Sequence, residues 1–357
     1  MKKIPMAAED SGFKTKELAN YIKSTVRTDN PIYKCIQEEI VEQISKSLVF
    51  GNTIARILDA RSDTTPPHIL SIIVQGIIYT AYYKYTKEQI DKFKQEGWRT
   101  FVKLVSTTPK LLTKFFDYTA KENSHVFILN RYSAFKLACQ MFFKNKPIDV
   151  LDVGASINVG FPALERGMVF NNLDRGVIER LSRNVLEVKL NFARSLSVDI
   201  KDENTALDSS LKVGSALMST NELRIIKDLL NSTKNSRNKF IRTDILLFLK
   251  NNVQKFDATF ASNVLYQLNP LVRSQFFVDI NNALKEGGIL IVNDYLKETN
   301  LIEWVDDWSY GGRVNYRTII YLKKGGNLTQ YNYLSWDSSK CNLAVKSKDF
   351  DTILKLT

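Results

Sequence analysis

The sequence predicts an α/β protein: a doubly wound, mostly parallel sheet with an antiparallel C-terminal hairpin, preceded by an all-helical N-terminal domain. Three observations predict it. Up to residue 146, apolar residues recur at helical spacing, as in Ile36, Ile40, Val41, Ile44 and Leu48, between breakers at Pro31, Pro66-Pro67 and Pro109. From Pro147 onward, short β-rich runs alternate with helical runs, the pattern of parallel strands joined by crossover helices. Beyond Trp308 strand follows strand, with Gly325-Gly326 as the turn between them. The domain boundary is therefore expected at 146/147, giving 1–146 and 147–357.

Each element has its own signal. The apolar run Ile69 to Tyr83 is interrupted by Ser71, Gln75, Gly76 and Thr80 and is shorter than the ~20 residues of a membrane span, so it reads as a buried helix. The strand candidates are IDVLDV (148–153), SLSVDI (195–200), KFIRTD (239–244), FDATFAS (256–262) and GILIVND (288–294). Helical stretches fall between them at 221–230 and 270–285, and VNYRTIIYLKK and NLTQYNYLSW form the hairpin.

Composition bounds the function. A chain of 357 residues with 44% hydrophobic and 25% charged residues can bury a large core. Three scattered cysteines, Cys35, Cys139 and Cys341, argue against a disulfide framework, and with only His68 and His125 beside them no metal centre is expected. The N-terminus lacks the apolar core of a secretory signal, so the cytoplasm is the expected location. The net charge of +12 divides into +8 over residues 1–150 and +4 over the remainder. That excess is spread thinly and reads as a solvated Lys-rich surface, with a nucleic-acid contact the less favoured alternative.

The loop VLDVGASINVG, Val150 to Gly160, lies where the first strand of a doubly wound sheet delivers its ligand contacts. It lacks the Gly-Lys-Ser/Thr of a phosphate loop and the Gly-x-Gly-x-x-Gly of a dinucleotide loop. Asp152 suits a ligand that carries positive charge.

Asp152-x-Gly154-x-Ser156-x-Asn158, with the later "ASNVLYQL" and "LKEGGILIVNDYL", resembles the class I S-adenosylmethionine-dependent methyltransferases over about residues 148–300. The resemblance implies a Rossmann-like S-adenosylmethionine-binding domain at 147–357. It implies that Asp152, Gly154, Ala155, Ser156 and Asn158 wrap the cofactor and that Asp199 holds the ribose. Asp244 would then lie by the adenine, Ser262 and Asn263 near the methyl group, and Tyr266 near the substrate. Asn158 stands where the family has a third glycine, and Asn tolerates the left-handed conformation that position needs. Asp199 follows Gly154 by 45 residues, where about 20 is usual. Either an inserted element occupies about 165–190, or Asp174 is the ribose acid. The helical front end, with "PPHIL", "AYY" and "LNRYSAF", is more loosely similar to an uncharacterised bacterial family with this fold.

Methyl transfer is the expected activity, with no catalytic residue singled out. "SNVLYQLNP" departs from the Asn/Asp-Pro-Pro-aromatic motif of enzymes that methylate exocyclic amines of bases. The N-terminal helices are expected to shape the acceptor pocket, favouring a small or medium-sized acceptor and no membrane partner. Two other classes stay open: a non-catalytic interaction module of the same fold, and a nicotinamide-dependent oxidoreductase.

Overall fold

A computed structural model describes residues 8–24, 31–61, 66–121, 129–156, 158–166, 172–173, 190–200, 236–297, 314–336, 341 and 343–357, with isolated positions between 212 and 231. The chain divides into two compact units, 1–126 with 208–223, and 127–207 with 224–357.

The described part of the first unit is helical: α1 (Ala8–Ser24), α2 (Pro31–Lys46), α3 (Leu48–Ala60), α4 (Pro66–Lys84), α5 (Lys87–Ile90), α6 (Gln95–Thr107) and α7 (Pro109–Lys121). Pro31, Pro66 and Pro109 each open a helix, where the missing N–H costs nothing. Along α6, Trp98, Phe101, Val102 and Val105 make one buried face, while α4 is buried through Ile72, Ile73, Val74, Ile77 and Ile78. The apolar series from Ile36 to Leu48 is not one helix. Ser47 ends α2 and caps α3 by accepting from the Phe50 N–H at 3.2 Å, and this leaves Leu48 79% exposed.

In the second unit α8 (Tyr132–Phe143) precedes β1 (Ile148–Val153). There follow α9 (Gly160–Glu165), β2 (Asn172–Leu173), β3 (Phe192–Asp199), β4 (Lys239–Arg242), α10 (Ile245–Lys250), β5 (Phe256–Ser262) and α11 (Pro270–Ala283). The chain closes with β6 (Leu284–Lys297), β7 (Val314–Lys324), β8 (Asn327–Trp336), β9 (Leu343–Lys346) and α12 (Phe350–Leu356). Helix α8, which a boundary at 146/147 assigns to the helical domain, packs on the sheet: the Phe135 ring lies 5.4 Å from Phe260 and 5.0 Å from Phe161. The predicted helix at 221–230 lies largely outside the described residues, as does most of 165–190.

The strands form one sheet in the order β2-β9-β8-β7-β6-β5-β1-β3-β4. From β4 to β6 neighbours run parallel, and β6 to β9 pair antiparallel, with β7 and β8 joined at Gly325-Gly326. This is the predicted doubly wound sheet with its C-terminal hairpin. Its antiparallel part extends further than the sequence suggested, because β9 pairs antiparallel with β8; β2 then adds to β9 in parallel.

Alternation along β1 sorts its side chains between two cores. Leu151 and Val153 face Phe248 and Leu249 of α10 and Phe276 and Ile280 of α11. Asp152 lies on the opposite face, the one covered by α8. From β1 the chain runs to β3 and β4 on one side, then crosses to β5 on the other. The strand order therefore reverses between β1 and β5, the point beyond whose carboxyl ends open α/β sheets bind their ligands.

Candidate functional site

The loop after β1 hangs on the end of β3. The Gly154 N–H donates to the Val198 carbonyl at 2.9 Å and the Ala155 N–H to the same oxygen at 3.3 Å. Gly154 has φ +71°, and a Cβ there would lie 2.6 Å from Cγ2 of Val264 in the facing loop, so both backbone and space demand glycine. Ser156 (φ +52°) donates its N–H to Asp199 Oδ2 at 2.9 Å. Asn158 (φ +54°) is buried and accepts at Oδ1 from Asn238 Nδ2 at 2.6 Å. Asn238 also donates to Ser197 Oγ and accepts from Ser195 Oγ, tying the loop to β3.

Asp199 ends β3 half-buried, so the structure brings it against the loop across the intervening 45 residues. Asp174 lies outside the described residues. Asp244 is exposed and caps α10, with Oδ1 accepting from the Leu246 and Leu247 N–H groups at 2.9 and 3.1 Å.

The loop after β5 supplies the other wall. Asn263 has φ +57°, and its N–H donates to the Asn293 carbonyl at 2.9 Å. With its amide oriented to satisfy both ends, Asn263 accepts from Nη1 and Nη2 of Arg131 at 2.6 and 3.0 Å and donates to the Tyr316 hydroxyl at 2.8 Å. Ser262 Oγ lies 3.2 Å from the same hydroxyl. Tyr266 is 0% exposed and packs edge-to-face on Tyr295, so its ring belongs to the interior.

Three residues close to these positions were not foreseen. Arg131 and Tyr132 enter from the start of α8, and Tyr132 donates to Asp152 Oδ2 at 2.5 Å. Asn238 enters from the approach to β4. Only the segment "LNRYSAF" hinted at the first two, as part of a general likeness.

Burial pushes the Asp152 carboxyl up to about 8; the Tyr132 hydrogen bond opposes the shift and nearby Asp199 adds to it. Burial likewise pushes Asp294 up to about 7, against three backbone N–H donors from Tyr295, Tyr266 and Leu265. The Tyr132 phenol is raised well above its usual value by burial first and by Asp152 second. The described part of the first loop offers acids, amides and hydroxyls with no basic side chain, a chemistry that suits a polar ligand bearing positive charge and not a phosphate. Among the described residues no group of three His, Cys, Asp or Glu could hold a metal ion, and no helix is long and apolar enough to cross a membrane.

No protein-family model matches the chain. Over 101 residues it is 29% identical to ribosomal RNA small subunit methyltransferase G of Streptococcus pyogenes serotype M12, a match covering 28% of this chain and 36% of that protein. The chain thus spans about a third of the length of the curated relatives it matches. Among solved structures it is similar to the N-methyltransferase NodS of Bradyrhizobium japonicum in complex with S-adenosylhomocysteine, at 16% identity and a TM-score of 0.27, over 47% of this chain and 63% of that one. It is also similar to an S-adenosylmethionine-dependent methyltransferase of Mesorhizobium loti, at 13% identity and a TM-score of 0.25, over 46% of this chain and 54% of that one. Overlays this partial carry no argument about the chain's chemistry.

Proposed function

We propose that the chain is a class I S-adenosylmethionine-dependent methyltransferase acting on a small or medium-sized acceptor. One observation carries this reading: Gly154, Ser156, Asn158 and Asn263 all adopt left-handed backbone conformations, and all sit in the loops that flank the point where the sheet reverses. Three of the six described non-glycine residues with positive φ are in these two loops. Such conformations cost of order 1–3 kcal/mol each, persist where the surrounding structure fixes them, and cluster at ligand-binding sites.

The residues present fit the cofactor. Gly154 lets the loop take its left-handed turn in close approach to Val264, Asp199 offers a carboxylate for vicinal hydroxyls at the end of β3, and Asp152 places an acid beneath the loop. When bound, the cofactor supplies a sulfonium methyl group already activated for attack. The task left to the chain is alignment: the loops of 154–158 and 262–263 would fix the ligand, and orientation alone supplies several kcal/mol of a barrier.

A second reading has its own support. The curated relatives named above act on ribosomal RNA, which favours an RNA acceptor. Thermal-shift and calorimetric titration with S-adenosylmethionine, S-adenosylhomocysteine and NAD tests the cofactor assignment, with stabilisation by the two sulfur ligands expected. Binding of NAD alone would replace this reading with an oxidoreductase. An RNA acceptor would reveal itself by tight binding whose affinity falls steeply with salt.

A further inference from the structure

The contact between Tyr132 and Asp152 has no part in the alignment just described. Both side chains are buried, at 5% and 2% exposure, and the phenol donates to Oδ2 at 2.5 Å. The tyrosine ring is fixed from several directions. Phe260 of β5 lies 5.0 Å from it, Phe161 of α9 meets it edge-to-face at 6.1 Å, and Gly160 is so close that a Cβ there would fall 1.8 Å from the ring's Cζ. Tyr132 cannot swing away without displacing the start of α9, into which the glycine loop runs.

The surroundings of Asp152 make that single donor count. From β3 it faces Asp199, a second acid, and its register neighbour Ser197; from β5 its register neighbour is the apolar Phe260. From α8 comes the Tyr132 hydroxyl, with the Arg131 guanidinium acting on that phenol. Asp152 thus lies buried beside a second, half-buried acid, and the hydroxyl is the group that stabilises its charged form.

We infer that Tyr132 is a positioning residue: through its hydrogen bond it fixes the Asp152 carboxyl under the loop and biases it toward the charged form, so that a cationic ligand is taken up with release of one proton. The inference rests on the cofactor reading of the loop. In the ligand-free protein, burial keeps the proton on Asp152 up to about pH 8. A positive charge arriving at the loop stabilises the carboxylate across a low-dielectric gap, and the proton passes to solvent. Without the hydroxyl the carboxyl ionises only at higher pH.

The test compares wild type with Tyr132→Phe and Asp152→Asn. The Asp152 carboxyl is titrated by carbon NMR in the ligand-free proteins, and S-adenosylmethionine binding is measured calorimetrically near pH 7 in buffers of different ionisation enthalpy. Wild type is expected to release a proton on binding. Tyr132→Phe is expected to move the carboxyl midpoint to higher pH and to weaken binding several-fold near neutrality, with recovery in alkali. Asp152→Asn is expected to bind with no proton release. Should Tyr132→Phe fail to fold, replacing Tyr132 with 3-fluorotyrosine, a stronger donor of the same shape, should move the midpoint down. An unchanged midpoint in the folded phenylalanine variant, or in the fluorotyrosine protein, overturns the inference. Absence of any S-adenosylmethionine binding sinks the cofactor reading and the proton release with it, while the ligand-free titration still decides whether Tyr132 controls Asp152.

Discussion

Strands β1 and β5 are held by opposite charges at their amino ends, whereas at the other end of the sheet β1 and β3 carry two acids and the loops after β1 and β5 carry left-handed backbone. At the amino ends Lys285 Nζ lies 2.8 Å from Asp149 and 2.9 Å from Asp257, Asp257 also accepts from the Asp149 N–H at 2.7 Å, and Arg194 approaches Asp149 at 3.5 Å. These groups neutralise one another, and because they remain partly exposed each pair contributes little beyond tying strands together. At the other end burial keeps a proton on Asp152 up to about pH 8 beside Asp199, with positive-φ residues in the loop that follows β1. One end of the sheet is settled without a ligand. The other holds left-handed backbone and a carboxyl that burial keeps from ionising, the pattern of a binding site.

The contrast breaks most completely at Gly154. Gly154→Val forces a β-branched side chain into φ +71° and against Val264, and should abolish S-adenosylmethionine binding while lowering stability by about 1–3 kcal/mol. Calorimetry and urea denaturation check both. If binding survives, the loop is not the site.

Next in size is a dependence on pH. The folded Asp152 carboxyl at about 8 lies above the roughly 3.9 of an unfolded aspartate, so the folded state keeps a proton that the unfolded chain has lost. Stability from this group is complete below about pH 4 and declines as pH rises toward about 8. Asp294, at about 7, acts in the same direction. Urea midpoints measured from pH 5 to 9 should fall by an amount equivalent to a few kcal/mol. In Asp152→Asn the decline should be smaller and should level off near pH 7.

Asp199→Ala should weaken S-adenosylmethionine binding about tenfold to a hundredfold, the loss of a charged acceptor, and Asp174→Ala should not. The reverse result would move the ribose contact into the segment between β2 and β3. The smallest effect is expected at the quiet end: Lys285→Met should cost no more than about 1 kcal/mol and leave ligand affinity unchanged. A large loss of affinity there would dissolve the distinction between the two ends.

The sequence exposed most of the sheet because its inner strands are covered on both faces. IDVLDV and FDATFAS match β1 and β5 residue for residue. Short elements were invisible: β9, Leu343–Lys346, has only four residues, and Leu343 and Val345 are exposed. Leu48 misled because helical spacing continued across the helix boundary at Ser47. At the site, residues adjacent in sequence such as Gly154, Ser156 and Asn158 could be read from turn chemistry alone. Tyr132 and Asn238 could not, since they reach the loop from 20 and 80 residues away through packing that no local pattern encodes.

The seat of Gly160 against Tyr132 links two positions that cannot vary independently. Any side chain at 160 needs the ring at 132 gone, and a small residue at 132 leaves a void that position 160 could grow to fill. Across relatives the pair should therefore exchange together, an aromatic with glycine or a small residue with a larger one. Gly160→Ala should be lethal to folding alone and tolerated beside Tyr132→Ala. A lineage that made that exchange would lose the hydroxyl along with the ring and would have to hold its strand-end acid by some other donor.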